Sequence, residues 1–234
     1  MSSDALAGYD WSSVEADLES EGWAQLPGLL GPPACRDIAS RYGDEEGFRS
    51  RVVMHRHGFG RGEYRYFAYP LPEQVEALRA RLYGLLRPLA NGWNERLGSG
   101  VRYPQKHAEF LARCHAAGQA RPTPLLLRYG PGDYNRLHQD LYGEHVFPIQ
   151  VAVLLSEPGS GFTGGEFVLT EQRPRMQSRA TVVPLRQGDA VAFAVNERPV
   201  PGARGDYRVK MRHGVSAVVS GTRYAMGIIL HDAA

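Results

Sequence analysis

From Pro124 to the C-terminus the chain breaks into apolar, β-branched and aromatic runs of a few residues each, such as VAVLL (151–155) and AMGIIL (225–230). Clusters of Gly, Pro and Asn separate them, and the three-to-four-residue periodicity of a helix disappears. We expect strands near residues 125–130, 147–155, 165–170, 180–184, 190–195, 207–213 and 223–230. Many short strands joined by turns, without helices between them, predict an antiparallel sandwich or jelly-roll barrel rather than a parallel α/β sheet.

The first half reads differently. Ser12 with Glu15 matches a capping box for a short helix ending near Gly22, GWAQLPGLL (22–30) reads as strand and turn, and Pro32–Pro33 open a second helix that Gly43 can close. Val75, Leu78, Leu82, Leu85, Leu89 and Trp93 form one apolar stripe on a long helix, with a break or kink expected at Pro88. PQKHAEFLARCHAAG (104–118) is a further helical stretch. The organisation expected is α+β, mainly β: one domain over residues 1–234, with a helical region (1–120) buttressing a β core (121–234).

With 234 residues and a formal charge of +2, the chain can bury a sizeable core and carries no global field that would draw it to nucleic acid or an anionic membrane. Any such partner must be read from local clusters. Cys35 and Cys114 are the only cysteines, the acidic opening MSSDALAGYDWSSVEADLES lacks a secretory apolar stretch, and no apolar run is long enough to cross a bilayer. A cytoplasmic protein without disulfides or a membrane span is the expectation.

One stretch interrupts this pattern with chemistry. In LRYGPGDYNRLHQDLYGEHVFPIQVAVLL (127–155), His138 and Asp140 stand one residue apart at the mouth of an apolar run. On an extended strand both project to one side, so an imidazole and a carboxylate converge. Two His and one carboxylate with open positions suit ferrous iron, and His213, at the end of a strand, is the candidate third ligand. An HxD pair alone reads first as an exposed or ion-paired loop pair.

The wider context resembles the Fe(II)- and 2-oxoglutarate-dependent dioxygenases of double-stranded β-helix fold. Their HxD, distal His and following basic residue are matched by His138, Asp140, His213 and Arg223. Tyr129 and Gly132 precede the HxD as in the prolyl-4-hydroxylase-like members, GGEF (164–167) occupies their GGE strand, RQGDAVAF (186–193) their Gly-Asp strand start, and HG (213–214) leads to GTRY (221–224). The resemblance covers residues 120–230. It implies that His138, Asp140 and His213 bind Fe(II), that Arg223 anchors 2-oxoglutarate with Tyr129 as a weaker candidate contact, and that O2 is consumed to yield succinate, CO2 and a hydroxylated substrate. If Ser220 and Gly221 turn a hairpin, Val218 faces Arg223 and the guanidinium lies roughly 16 Å along the ladder from His213. Arg212 and Arg128 are the next candidates for this anchor.

Subfamily signals diverge. RYGPG followed by LHQD is similar to the AlkB-type alkylation-repair enzymes, with Pro131 and Gln139 the telling residues, yet Leu127 stands where those enzymes carry Asn. The ten-residue step from His213 to Arg223 belongs to the prolyl-hydroxylase-like branch. The whole chain looks like a bacterial oxygenase family for which oxidation of damaged nucleic acid has been proposed.

Composition speaks to substrate in one place. Residues 49–67 hold Arg49, Arg51, Arg56, Arg61 and Arg65 with His55, His57, Tyr64, Tyr66 and Phe67 against a single acid, Glu63. This reads either as a rim or lid for single-stranded or damaged nucleic acid, contacted through Arg56, Arg61, Tyr64 and Tyr66, or as an edge held by internal ion pairs. His55 and His57 lack a third ligand nearby, and His107, His115 and the terminal His231–Asp232 pair receive no catalytic role. A protein prolyl hydroxylase, a small-molecule hydroxylase and a non-catalytic metal-binding jelly roll remain the alternatives.

Overall fold

The computed structural model describes residues 5–203 and 205–234. Helix α1 (Trp11–Glu21) starts at Asp10, whose carboxylate accepts from the Ser12 backbone N–H and the Ser13 hydroxyl, and stops at Gly22 in the left-handed region. The cap is therefore Asp10, not the expected box of Ser12 with Glu15, because a carboxylate one step outside the helix meets the free N–H groups first. Strand β1 (Trp23–Leu26) and helix α2 (Pro32–Ser40) follow, and a 3-10 turn at Arg41–Gly43 completes the latter.

In the next segment the structure favours the ion-paired edge among the alternatives the sequence left open. Residues 48–67 are not a helical region or a free lid: they form β2 (Phe48–Val53), a 3-10 turn (Met54–His57), β3 (Gly60–Arg61) and β4 (Glu63–Phe67). Cross-strand partners account for Arg49 and Arg51. Glu63 takes both Arg51 from β2 and Arg128 from the neighbouring strand, while Arg49 lies over the Tyr66 ring at 4.3 Å.

Helix α3 (Glu73–Arg96) runs as one helix through Pro88, burying Leu86 where the stripe placed Leu85, and α4 (His107–Ala116) packs beside it. The remaining chain is β5 (Leu125–Tyr129), β6 (Tyr134–His138), β7 (Ile149–Leu154), β8 (Phe162–Gly164), β9 (Phe167–Gln172), β10 (Arg179–Val183), β11 (Ala190–Ala194), β12 (Glu197–Gly202), β13 (Gly205–Val215), β14 (Val218–Gly221) and β15 (Arg223–Ile228).

Among the described residues these strands make two large sheets and a small ribbon. The major sheet runs β1-β11-β7-β15-β5-β4-β2, the minor sheet β10-β9-β13-β6-β3 with β12 beside β13, and β14 pairs β8. Pairing within them is antiparallel. This is a double-stranded β-helix backed by helices.

The two-residue period of a strand divides the major sheet into faces with different tasks. Leu126, Val151, Ala192, Met226 and Ile228 point to the helices and join one core with Leu82, Leu86, Trp93 and Leu18. Leu125, Leu127, Tyr129, Gln150, Ala152, Arg223, Ala225 and Gly227 point the other way, into a cavity between the sheets.

Two buried ion pairs tie the helices to this framework. Arg198 of β12 bonds Glu171 at 2.5 Å and donates to the carbonyls of Glu19 and Ser20, the free acceptors at the end of α1. Arg79 of α3 binds Asp232 at 2.8 Å and donates to the Ile229 and His231 carbonyls. His231 and Asp232 are thus buried in a clasp, correcting their expected place at a terminal fringe.

Candidate metal centre

His138 closes β6 and faces His213 of β13 directly in the ladder, with ring centroids 4.1 Å apart. Asp140 lies just beyond the strand end rather than on it, yet its carboxylate reaches both rings, at 3.5 Å from His138 Nε2 and 3.4 Å from His213 Nε2. The donor atoms of all three residues lie within 4.8 Å of one another. Gly214 permits the approach of the two strands, since a Cβ there would stand 2.7 Å from the Asn135 carbonyl.

The surroundings prepare these groups as ligands. His138 Nδ1 bonds the Arg136 carbonyl at 2.7 Å, so its proton is committed there and the Nε2 lone pair is left for a metal. Burial, with His213 alongside, lowers the His138 pKa and favours the neutral ring. Burial acts to raise Asp140, but the bond to His213, the two imidazoles and the Tyr142 hydroxyl outweigh it and hold the carboxyl well below the usual range. Tyr142 donates to Asp140 Oδ1 at 2.7 Å. Gln139 turns away to Asn196 and the Met211 carbonyl, pinning the turn between His138 and Asp140. Two imidazoles and one carboxylate with this arrangement fit ferrous iron with open positions.

Deeper in the cavity, of about 230 Å³, lies a second set of unmet polar groups. Arg223 is 3 % exposed, and among the described residues no carboxylate pairs with it; its Nε has no partner. Burial lowers its pKa, with Tyr129 and the Glu166 charge opposing. Glu166 itself is held by Ser216. Tyr129 is directly across the β5–β15 ladder from Arg223, and its buried hydroxyl also lacks a well-formed hydrogen bond. A buried cation and a buried hydroxyl, both unsatisfied and side by side, are costly unless a ligand supplies an acceptor. A carboxylate is the natural one for an arginine fork.

The route by which Arg223 arrives differs from the expected hairpin. β14 pairs β8, and β15 enters the major sheet between β7 and β5, so Val218 does not face Arg223 across a turn. The two sheets bring His213 and Arg223 to one cavity from opposite walls. Gly165 of the GGE stretch makes room for the arginine: at φ 65°, a Cβ there would stand 2.9 Å from Arg223 Cδ. Asp189 of the Gly-Asp start accepts from the N–H groups of Gly28 and Arg186, a turn-holding role. Arg128 and Arg212 are exposed, and Arg128 is paired with Glu63.

Of the segment singled out for substrate, Arg56 and Arg61 are exposed, Tyr64 lines the cavity, and Tyr66 is buried outside its lining. The two tyrosines are therefore not an exposed stacking platform: β4 turns their rings inward, where they pack edge to face at 5.3 Å. Sequence reading missed Tyr142, Asn135, Gln150 and Phe59, all of which line the cavity. The tyrosine two residues after Asp140 repeats the one-face spacing of the HxD and was a usable signal; the others share no local pattern.

A β-helix with this triad at the mouth of an otherwise largely apolar cavity defines the class as a mononuclear non-haem oxygenase fold. The chain belongs to the Oxygenase-NA family, described as an oxygenase catalysing oxidative methylation of damaged DNA, whose match spans residues 62–233. Two Mycobacterium tuberculosis proteins, Rv2227 of strain H37Rv and MT2286 of strain CDC 1551, are each 51% identical over 168 residues, 72% of this chain and 72% of theirs. A Pseudomonas putida prolyl-4-hydroxylase aligns at TM-score 0.53 and 16% identity, covering 93% of this chain and 96% of that one. A Burkholderia pseudomallei oxidoreductase of the 2OG-Fe(II) oxygenase family aligns at 0.55 and 15%, covering 97% and 93%. A Trichoplax adhaerens prolyl hydroxylase, solved with a hypoxia-inducible-factor peptide, aligns at 0.56 and 15%, covering 93% and 86%. Among the described residues no helix is long and apolar enough to cross a membrane.

Proposed function

We propose that this oxygenase is Fe(II)- and 2-oxoglutarate-dependent and oxidises a C–H bond on a damaged nucleobase. The observation that carries the co-substrate is the unmet pair Arg223 and Tyr129 in the same cavity as His138, Asp140 and His213. When bound, iron supplies the activation of O2 that couples decarboxylation of 2-oxoglutarate to hydroxylation of the substrate.

The chain's own residues do the rest. His138, Asp140 and His213 would hold the metal on one face, and Tyr142 orients the carboxylate. Arg223 grips the far carboxylate of 2-oxoglutarate through its fork while the Tyr129 hydroxyl donates beside it. Burial raises the Tyr129 pKa far enough to keep that donor protonated. Leu125, Leu127, Phe167 and Phe193 exclude water from the reacting end. Arg56 and Arg61 meet the substrate outside the cavity, and Tyr64 meets it within; Tyr66 supports Tyr64 from behind. The nucleic-acid substrate is supported by the family's description and by the basic rim.

The test is succinate formation under Fe(II) and O2 with single-stranded oligonucleotides bearing N-alkylated bases, set against a proline-containing peptide pool. We expect stimulation by the alkylated oligonucleotide and its loss in His213→Ala. Stimulation by peptides alone would transfer the chemistry to a protein substrate. Succinate absent under every condition would leave a metal-binding jelly roll.

A further inference from the structure

We propose that Phe59, backed by His57, is the surface on which a base of the substrate strand stacks as it enters the metal cavity. This rests on the nucleic-acid reading above and names the residue that would contact the base. Phe59 is 48 % exposed yet borders the same cavity as the metal triad, so the ring faces solvent and site at once. The His57 ring lies against it with centroids 5.3 Å apart and planes within 23°.

The backbone of Phe59 is tied to the strand that carries the site, unlike an ordinary surface aromatic on a free loop. The Phe59 carbonyl accepts from Arg136 N–H at 2.9 Å and its N–H donates to the Met54 carbonyl at 3.2 Å. Gly60 then enters β3 opposite Asn135 of β6, at φ 140°, with no space for a side chain because the Tyr134 carbonyl would stand 2.3 Å from a Cβ. That strand ends in His138. The backbone of the platform is thus tied to the strand bearing His138 through one ladder.

The surroundings favour a nucleotide over a purely apolar partner. His55, Arg56, Arg61 and Arg136 are exposed on the same stretch and on β6. Among the described residues Arg56 and Arg61 form no ion pair, whereas Arg51 and Arg128 are occupied by Glu63. An exposed ring on the same short segment as two guanidinium groups without an ion pair matches a base with its adjoining phosphates.

The experiment is binding of two fluorescein-labelled single-stranded DNA 12-mers, one carrying N1-methyladenine at its centre and one abasic there, at several salt concentrations. Wild type should prefer the base-containing strand. Phe59→Ala should weaken that strand by about 5- to 100-fold and abolish the preference, with the salt slope unchanged. Phe59→Trp should restore the preference. Phe59→Leu, which keeps apolar bulk without a ring, should behave as Phe59→Ala and covers the case in which the alanine variant does not fold. Arg56→Ala with Arg61→Ala should weaken both strands alike and lower the salt slope. A preference retained in both Phe59→Ala and Phe59→Leu overturns the stack and leaves the nucleic-acid reading standing. Failure of wild type to bind either strand at low salt overturns both.

Discussion

The Tyr142 hydroxyl stands 2.7 Å from Asp140 Oδ1, on the carboxylate that bridges the two histidine rings of the site. Burial and the Asp140 charge push the Tyr142 pKa up, so the phenol remains a donor throughout the working pH range. Tyr142→Phe removes this bond together with the hydroxyl's contact to Tyr66. We expect Mn(II) affinity, followed by calorimetric titration, to fall about 10-fold with the fold intact. Unchanged affinity would show that Asp140 needs no orienting partner.

The facing pair Arg223 and Tyr129 predicts a graded response to 2-oxoglutarate. Arg223→Ala should raise the co-substrate KM by well over 10-fold, Arg223→Lys should recover only part, since the charge returns without the fork, and Tyr129→Phe should cost about 5-fold. Metal binding should persist in all three. A normal KM in Arg223→Ala would place the anchor elsewhere.

Gly165 predicts an indirect route to the same loss. Alanine at φ 65° pays a left-handed backbone cost of about 1–2 kcal/mol and pushes on Arg223 Cδ. Gly165→Ala should therefore lower Tm and raise the 2-oxoglutarate KM together. A lower Tm with an unaltered KM would mean the arginine accommodates the methyl group.

Arg198 and Glu171 are both buried, and once Arg198 is removed Glu171 keeps only Arg173, at 2.7 Å from its other oxygen, and the more distant Arg179. Arg198→Met should cost about 1–3 kcal/mol in urea unfolding, since Arg173 still partners Glu171, and adding Glu171→Leu should recover part of it. Equal losses in the single and double variants would argue that the carbonyl bonds to Glu19 and Ser20, not the ion pair, carry the effect.

His107 predicts an acid limb of stability. Its Nε2 bonds the Leu230 carbonyl at 2.8 Å, and burial with nearby Arg79 holds its pKa down at about 4. An unfolded histidine titrates near 6.5, so between these values the unfolded chain binds more protons and stability falls as pH drops. The slope approaches about 1.4 kcal/mol per pH unit for this residue, fades above 6.5 and ends below 4. His107→Gln should remove that share of the slope in unfolding measured from pH 4.5 to 7.

The local sequence determined those features whose physics is local. Short apolar runs over residues 149–154, 190–194 and 223–228, bounded by turn residues, mark buried strands, and His138 with Asp140 marks a site because two ligand types share a short span. The long stripe of α3 follows from the same kind of regularity. Tertiary structure decided what depends on distant partners. Residues 49–67 read either as a rim or lid or as an edge held by internal ion pairs; β5 offers an edge to β4, and Glu63 absorbs Arg51 and Arg128 once the strands lie together. Tyr64 and Tyr66 turn inward for the same reason. Arg223 reaches the cavity from the major sheet rather than along a hairpin with His213, a choice made by the open edges of β5 and β7 and not by the turn at Gly221. Asp232 became a buried partner only because α3 delivers Arg79 to it. Pattern within a segment reports which face is apolar; which other segment covers that face is set by the lowest free energy of the whole chain, in which pairing and burial outweigh local preference.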